Sequence, residues 1–224
     1  MIRETAIEAS NLGFGYDRES SIINSLSFTL YRGETVALTG PNGVGKTTLG
    51  KLLAGILKPA RGQVLLFGEN TRDMPLYLMG RKIGYSFQNP DQQLFASSVA
   101  EEIGFGLKYR GANLEHISRV TAYLLNLFDI EHLKEAFPLN LSWGEKRRVV
   151  LAACLAQNPE YLILDEPTTG LDEERIKALT EIIASLRRKG TGILLISHHQ
   201  TFIEQNAERI LRMEGGEIRD DRFF

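Results

Sequence analysis

The octapeptide Gly40-Pro41-Asn42-Gly43-Val44-Gly45-Lys46-Thr47 constrains the fold of this chain more than any other stretch. It matches G-x-x-x-x-G-K-[ST] and sits where that motif has to sit. The apolar strand "ETVALT" leads into it, and "GKTTLGKLLAGIL" leaves it with helical spacing and is closed by Pro59. A strand that breaks into a glycine loop and then a helix lets backbone N–H groups curl around phosphate oxygens. The helix N-terminus adds favourable partial positive charge. Lys46 is then expected to reach the β- and γ-phosphates, and Thr47 to ligate Mg²⁺, with Gly40 to Thr48 as the phosphate-binding set.

The pattern around this loop is that of an α/β chain. "TAIEASNLGFGY" and "SLSFTLYRGETVALTG" alternate apolar and polar residues, with Gly and Asn at the breaks, and read as β-structure. "GQVLLFG" and "RKIGYSF" are further strands. From about Gln88 to Asn140 the spacing is mostly helical, in "SSVAEEIGFGLKYR" and "LEHISRVTAYLLNLF". Beyond it come the strand "YLILD", the helix "EERIKALTEIIASLRRKG", the strand "GILLISH" and a final hairpin around Gly215-Gly216. Strands alternating with helices imply a mostly parallel sheet covered on both faces. The expected fold is one domain over residues 1–224: a P-loop core, an N-terminal antiparallel β subdomain and an inserted helical subdomain at about 88–150.

Composition removes several function classes. Apolar residues make up 43% of the 224, enough for a core, and a net charge of -2 is unlike a chain that seeks nucleic acid. The apolar runs are far too short to cross a bilayer, and "MIRETAIEAS" has no stretch of signal-peptide length. Cys154 is the single cysteine, so no disulfide can form within the chain; a buried inert thiol is expected, with a reactive one as the alternative. These features point to the cytosol.

"YLILDE" supplies the second half of a phosphate site. Asp165 closes a buried strand, where a carboxylate can hold Mg²⁺ through water. Glu166 diverges from it and can orient or deprotonate an attacking water; the alternative is a carboxylate pair that caps the next helix. "EKRR", Glu145 to Arg148, reads as the solvated face of a helix rather than a nucleic-acid patch.

With these motifs in this order, nearly the whole chain resembles the ATP-binding-cassette ATPases. "LSWGE" is similar to the signature loop, usually L-S-G-G-Q, and gives Ser142, Trp143, Gly144 and Glu145 as residues that meet ATP on a second subunit. "TGLD" resembles the D-loop and marks Asp172. "ISHHQ" resembles the switch-histidine segment and assigns His198 rather than His199, while "FQNP" assigns Gln88, also as a metal contact. Tyr16 stands where the family places an aromatic on adenine; the bland reading is a packing aromatic at a strand end. No N-K-x-D guanine motif is present. The resemblance implies an ATPase with ATP and Mg²⁺ as cofactors, working as a head-to-tail pair with a second copy or a sister chain.

"FQNPDQQLFASSVAEEIGFGL" is similar to the Q-loop region of ATPases from energy-coupling-factor transporters, which import vitamins and transition-metal ions. That implies a separate transmembrane coupling subunit, a place on the cytoplasmic face of the membrane, and no nucleic-acid partner. Members often carry a C-terminal extension that helps pairing; this chain stops at Phe224, so pairing is expected to depend more on ATP and the membrane partner. The alternatives are a soluble cassette ATPase acting in translation or DNA repair, an ATPase of another transporter class, and a regulatory binder with little turnover. Trp143 is the departure from the family pattern. The expectation is an ordinary φ there, with the ring turned away from phosphate; a signature site that binds without closing is the alternative.

Overall fold

The computed structural model describes residues 3–17 and 21–224. In chain order these form β1 (Thr5–Phe14), β2 (Ile23–Tyr31), β3 (Thr35–Thr39), α1 (Lys46–Leu53), β4 (Arg61–Leu66), β5 (Glu69–Asn70), α2 (Leu76–Lys82) and β6 (Ile83–Ser86). Then follow α3 (Val99–Tyr109), α4 (Leu114–Leu127), α5 (Trp143–Ala156), β7 (Tyr161–Asp165), α6 (Glu173–Arg188), β8 (Gly192–Ile196), α7 (Gln200–Asn206), β9 (Arg209–Glu214) and β10 (Glu217–Phe223). Two compact units result. One runs from the N-terminus to Tyr85 and includes Glu160–Thr168 and Asp172–Phe224; the other is Ser86–Pro159 with Thr169–Leu171.

The first unit carries two sheets. A six-stranded sheet has the order β10-β9-β3-β8-β7-β6, with β3 parallel to both β8 and β9, and β7 parallel to β8. β7 and β8 are buried along their whole length, as expected of central strands covered on both faces. This is why "YLILD" and "GILLI" are unbroken apolar runs. α1 packs on β7 and β8 through Leu49, Leu52 and Leu53, which are fully buried; each such side chain contributes roughly 1.5–3 kcal/mol of transfer free energy. The chief consequence is positional. The C-terminal ends of β3, β7 and β8, at Thr39, Asp165 and Ile196, deliver the loops that carry the chemistry.

The second sheet is antiparallel, in the order β2-β1-β4-β5. Its alternation is visible in the burial of Ala9, Leu12, Leu26 and Leu30. At the edge of the six-stranded sheet, Arg209 forks onto Asp221 at 2.6 and 2.7 Å and stands 3.5 Å from Glu34, tying β10 to β9 and to the turn before β3. Burial raises the Glu34 carboxyl, and Arg209 opposes that shift.

The second unit is built on α3, α4 and α5, with α5 packed on both α3 and α4. Val99, Ile103, Leu124, Leu125, Val149 and Val150 form its interior. One expectation is overturned here. "EKRR" is not a solvated face: Arg147 is fully buried and Arg148 nearly so. Their guanidiniums donate to carbonyls through Nη1, Arg147 to Phe87 and Gln88, and Arg148 to Phe128 and Asp129 at 2.9 and 2.7 Å. Lys146 is paired with Asp91 at 2.7 Å. A buried arginine is tolerable when its donors meet backbone acceptors in this way. Cys154 is buried beside Gln93, and burial pushes its thiol up to about 11, which makes it an inert thiol.

Candidate active site

The phosphate loop is shaped by its glycines. Gly40, Gly43 and Gly45 have φ of 142°, 78° and 106°, a region that side-chain-bearing residues avoid. A Cβ at Gly40 would stand 2.3 Å from the Met213 carbonyl, so the loop is also packed from behind. Lys46, the first residue of α1, folds its ammonium over the loop and donates to the carbonyls of Gly40 and Pro41 at 2.8 and 2.9 Å. The first amides of α1, those of Lys46, Thr47 and Thr48, have no carbonyl one turn earlier in the helix and suit an anion. Pro41 and Asn42 are exposed at the tip of the loop, and Val44 is half-buried.

The Tyr16 ring is exposed and lies edge-on to Phe14, and its hydroxyl is 3.3 Å from Thr48 Oγ1. This places an accessible aromatic face next to the loop.

Asp165 is fully buried at the end of β7. The Tyr85 hydroxyl donates to its Oδ2 at 3.1 Å. Burial, and then the neighbouring Asp165 charge, push the Tyr85 phenol far above its ordinary value, so it stays a donor. Glu166 follows with φ of 49°, and its N–H donates to the Ile196 carbonyl at 2.8 Å. A non-glycine residue in this region costs on the order of 1–2 kcal/mol, and here the buried strand pair imposes it. The Glu166 carboxylate stands beside His198, whose Nδ1 is 2.9 Å from Oε2.

The two neighbouring histidines are separated by role. His199 caps α7, its Nδ1 accepting from the Phe202 N–H at 3.1 Å, while His198 alone is paired with Glu166.

In the second unit, Gln88 is exposed, and its carbonyl is held by Arg147 at 3.3 Å. Ser142 is the N-cap of α5 in a reciprocal capping box with Glu145: the Ser142 N–H donates to Glu145 at 2.8 Å, and the Glu145 N–H donates to Ser142 Oγ at 3.4 Å. The Ser142 hydroxyl also donates to the Glu145 carboxylate at 2.6 Å. This bond, and then the amide bond, hold the Glu145 carboxyl below its usual range. Trp143 is the first residue of α5 and does not take a positive φ; its ring lies on Gly170. In the first unit, Asp172 caps α6 by accepting from the Arg175 N–H at 2.9 Å and pairs with the Arg175 guanidinium at 2.7 Å.

The groups fit a magnesium triphosphate. A threonine hydroxyl and a buried carboxylate are the hard oxygen donors that Mg²⁺ prefers, and this ion keeps waters and phosphates as its other ligands. Two residues that contact candidate site positions escape sequence reasoning. Tyr85 orients Asp165, and Arg147 anchors the Gln88 backbone; neither position carries a motif signal, because the partners lie far away in sequence.

Comparison with known proteins gives the same reading. Residues 23–169 match the family described as ABC transporter. The energy-coupling factor transporter ATP-binding protein EcfA of Methanothermobacter thermautotrophicus is 39% identical over 215 residues, covering 95% of this chain and 69% of that protein. A solved structure described as the ATP binding subunit of an ABC transporter superimposes with a TM-score of 0.90 at 28% identity, covering 98% of this chain and 90% of the other. That of cbiO1 from Clostridium perfringens, described as part of the ABC transporter complex cbiONQ, does so with a TM-score of 0.83 at 29% identity, covering 97% and 88%. A phosphate loop before α1, Asp165 and Glu166 at the end of β7, and a family match across most of the chain make this protein a member of the ABC transporter family, an ATPase cassette that couples ATP hydrolysis to transport.

Proposed function

We propose that this chain is the motor subunit of an energy-coupling-factor importer for a vitamin or a transition-metal ion. It binds Mg-ATP at the cytoplasmic face of the membrane and pairs head to tail with a second cassette, its own copy or a sister chain. In this reading Lys46 and the first amides of α1 hold the β- and γ-phosphates, and Thr47, Asp165 and Gln88 face the metal. Bound Mg²⁺ would neutralise phosphate charge. Tyr16 offers its ring to adenine. Glu166 orients the attacking water and takes its proton, and His198, steadied by Glu166, offers Nε2 to the γ-phosphate. Ser142, Gly144 and Glu145, with the α5 N-terminus, serve the nucleotide of the partner subunit, and Asp172 lies in the loop that meets it.

The observation that carries the transport reading is a surface of the helical unit. A groove of about 810 Å³ opens between α3 and α4, lined by Phe95, Glu101, Phe105, Leu114, Ile117 and Leu125. Phe95 and Phe105 meet edge to face at 4.7 Å, and both are largely exposed. An apolar groove of this kind suits a helix of a partner protein. It begins a few residues past Gln88, so a partner seated there would act on the segment that carries Gln88. No helix among the described residues is long and apolar enough to cross a membrane.

The test is purification of a tagged chain from membranes in mild detergent. An integral membrane protein is expected to come with it in fixed proportion. Recovery only from the soluble fraction, with ribosomes or DNA, refutes the transport role.

A further inference from the structure

We propose that Trp143 is a positioning residue whose indole clasps Gly170, so that the start of α5 and the segment Thr169–Leu171 form one piece. A Cβ added to Gly170 would stand 2.6 Å from Trp143 Cδ1 and 3.2 Å from Nε1, so the ring lies on the face of Gly170 that any other residue would occupy. The contact is reciprocal. A Cβ added to Gly144 would stand 3.1 Å from the Gly170 carbonyl oxygen, so that carbonyl reaches into the space beside the residue next to Trp143. Gly170 has a φ of 76°, which independently favours glycine. Thr169–Leu171 accordingly belongs to the helical unit, although the residues on either side belong to the other.

A tryptophan in this loop therefore has a reason that does not involve nucleotide. Trp143 is 40% exposed. Gly170 lies between Glu166, whose backbone is already held in a costly conformation, and Asp172, the cap of α6. Fixing Gly170 restrains the chain four residues past Glu166. Trp143 then acts on hydrolysis through that segment and leaves nucleotide affinity alone.

Trp143 is the only tryptophan in the chain, so its emission reads the contact without interference. Gly170→Ala places a methyl where the ring lies. The acrylamide quenching constant should rise by about twofold as Trp143 moves from 40% exposure toward full exposure. Unchanged quenching overturns the clasp. Trp143→Ala leaves Gly170 intact, so this arm survives if Gly170→Ala does not fold. It should speed amide exchange across Thr169–Leu171 by about tenfold, while Trp143→Phe, which keeps a ring, stays within about twofold of the parent. Equal exchange in the alanine variant and the parent also overturns the clasp. The kinetic arm alone rests on the ATPase reading. Trp143→Ala should lower kcat by about three- to tenfold at unchanged ATP affinity, with Trp143→Phe restoring it. Lost ATP affinity with kcat intact overturns the positioning role. Quenching and exchange need no turnover, so a failed clasp and a failed ATPase are told apart.

Discussion

Glu166 joins backbone strain to chemistry in one residue. Its backbone is left-handed and its carboxylate stands beside His198, so an amide in its place keeps shape and pairing but cannot accept the proton. Glu166→Gln should retain ATP binding, lose nearly all turnover and accumulate as an ATP-bound dimer. Size-exclusion chromatography with ATP showing only monomer would contradict the two-subunit sandwich. Lys46 tests the loop itself. Its ammonium supplies a charge-assisted contact of roughly 1.5–3 kcal/mol, so Lys46→Ala should weaken Mg-ATP binding by about tenfold or more, measured by calorimetry. What the sequence discloses at this scale depends on whether the function needs a residue type at a fixed spacing. Gly45, Lys46 and Asp165 are legible because a triphosphate admits few alternatives. Tyr85 and Arg147 are not, because a tyrosine three residues before Gln88 and an arginine in a helix have many ordinary uses. Only the folded chain shows which carboxylate or carbonyl they meet.

At the scale of elements, α5 depends on its first turn. Ser142 accepts from the helix and donates to Glu145, and Ser142→Ala should destabilise the protein by about 1 kcal/mol in chemical denaturation. The pH dependence has a definite sign. The Glu145 carboxyl is lowered in the folded state from an ordinary 4.5, so its contribution is complete above that value and disappears as pH falls through the lowered folded one. Ser142→Ala removes the largest cause of the shift, so the acid limb of its stability profile should be flatter than the parent's. An unaltered limb would place the acid sensitivity elsewhere. The long elements are legible because they are periodic or wholly apolar. α2 and α7, at seven residues each, are too short to display a period and do not emerge from the sequence. α5 is visible as a helix, but which of its residues face inward is not. Arg147 and Arg148 turn a side that looks charged toward the interior, because backbone acceptors there take the place of water.

For the molecule as a whole, the groove between α3 and α4 is the surface on which transport is tested. Asp91 and Glu101 both lie in the segment assigned to coupling, but they are not equivalent probes. Asp91 is tied to Lys146, so reversing its charge also disturbs α5. Glu101 is exposed, lines the groove, and its carboxylate accepts from nearby Ser97. Glu101→Lys should cut recovery of the membrane partner severalfold while basal ATPase stays within about twofold, because Glu101 and the phosphate loop belong to different units. Undiminished recovery would remove this groove from the interface. The burial of Cys154 adds a chemical consequence for that surface. The chain's only sulfhydryl is enclosed and resists ionisation, so the native protein presents no ready nucleophile to a maleimide. A cysteine installed at position 101 would stand alone as an address, and a crosslink formed there in a native membrane would name the neighbour without ambiguity.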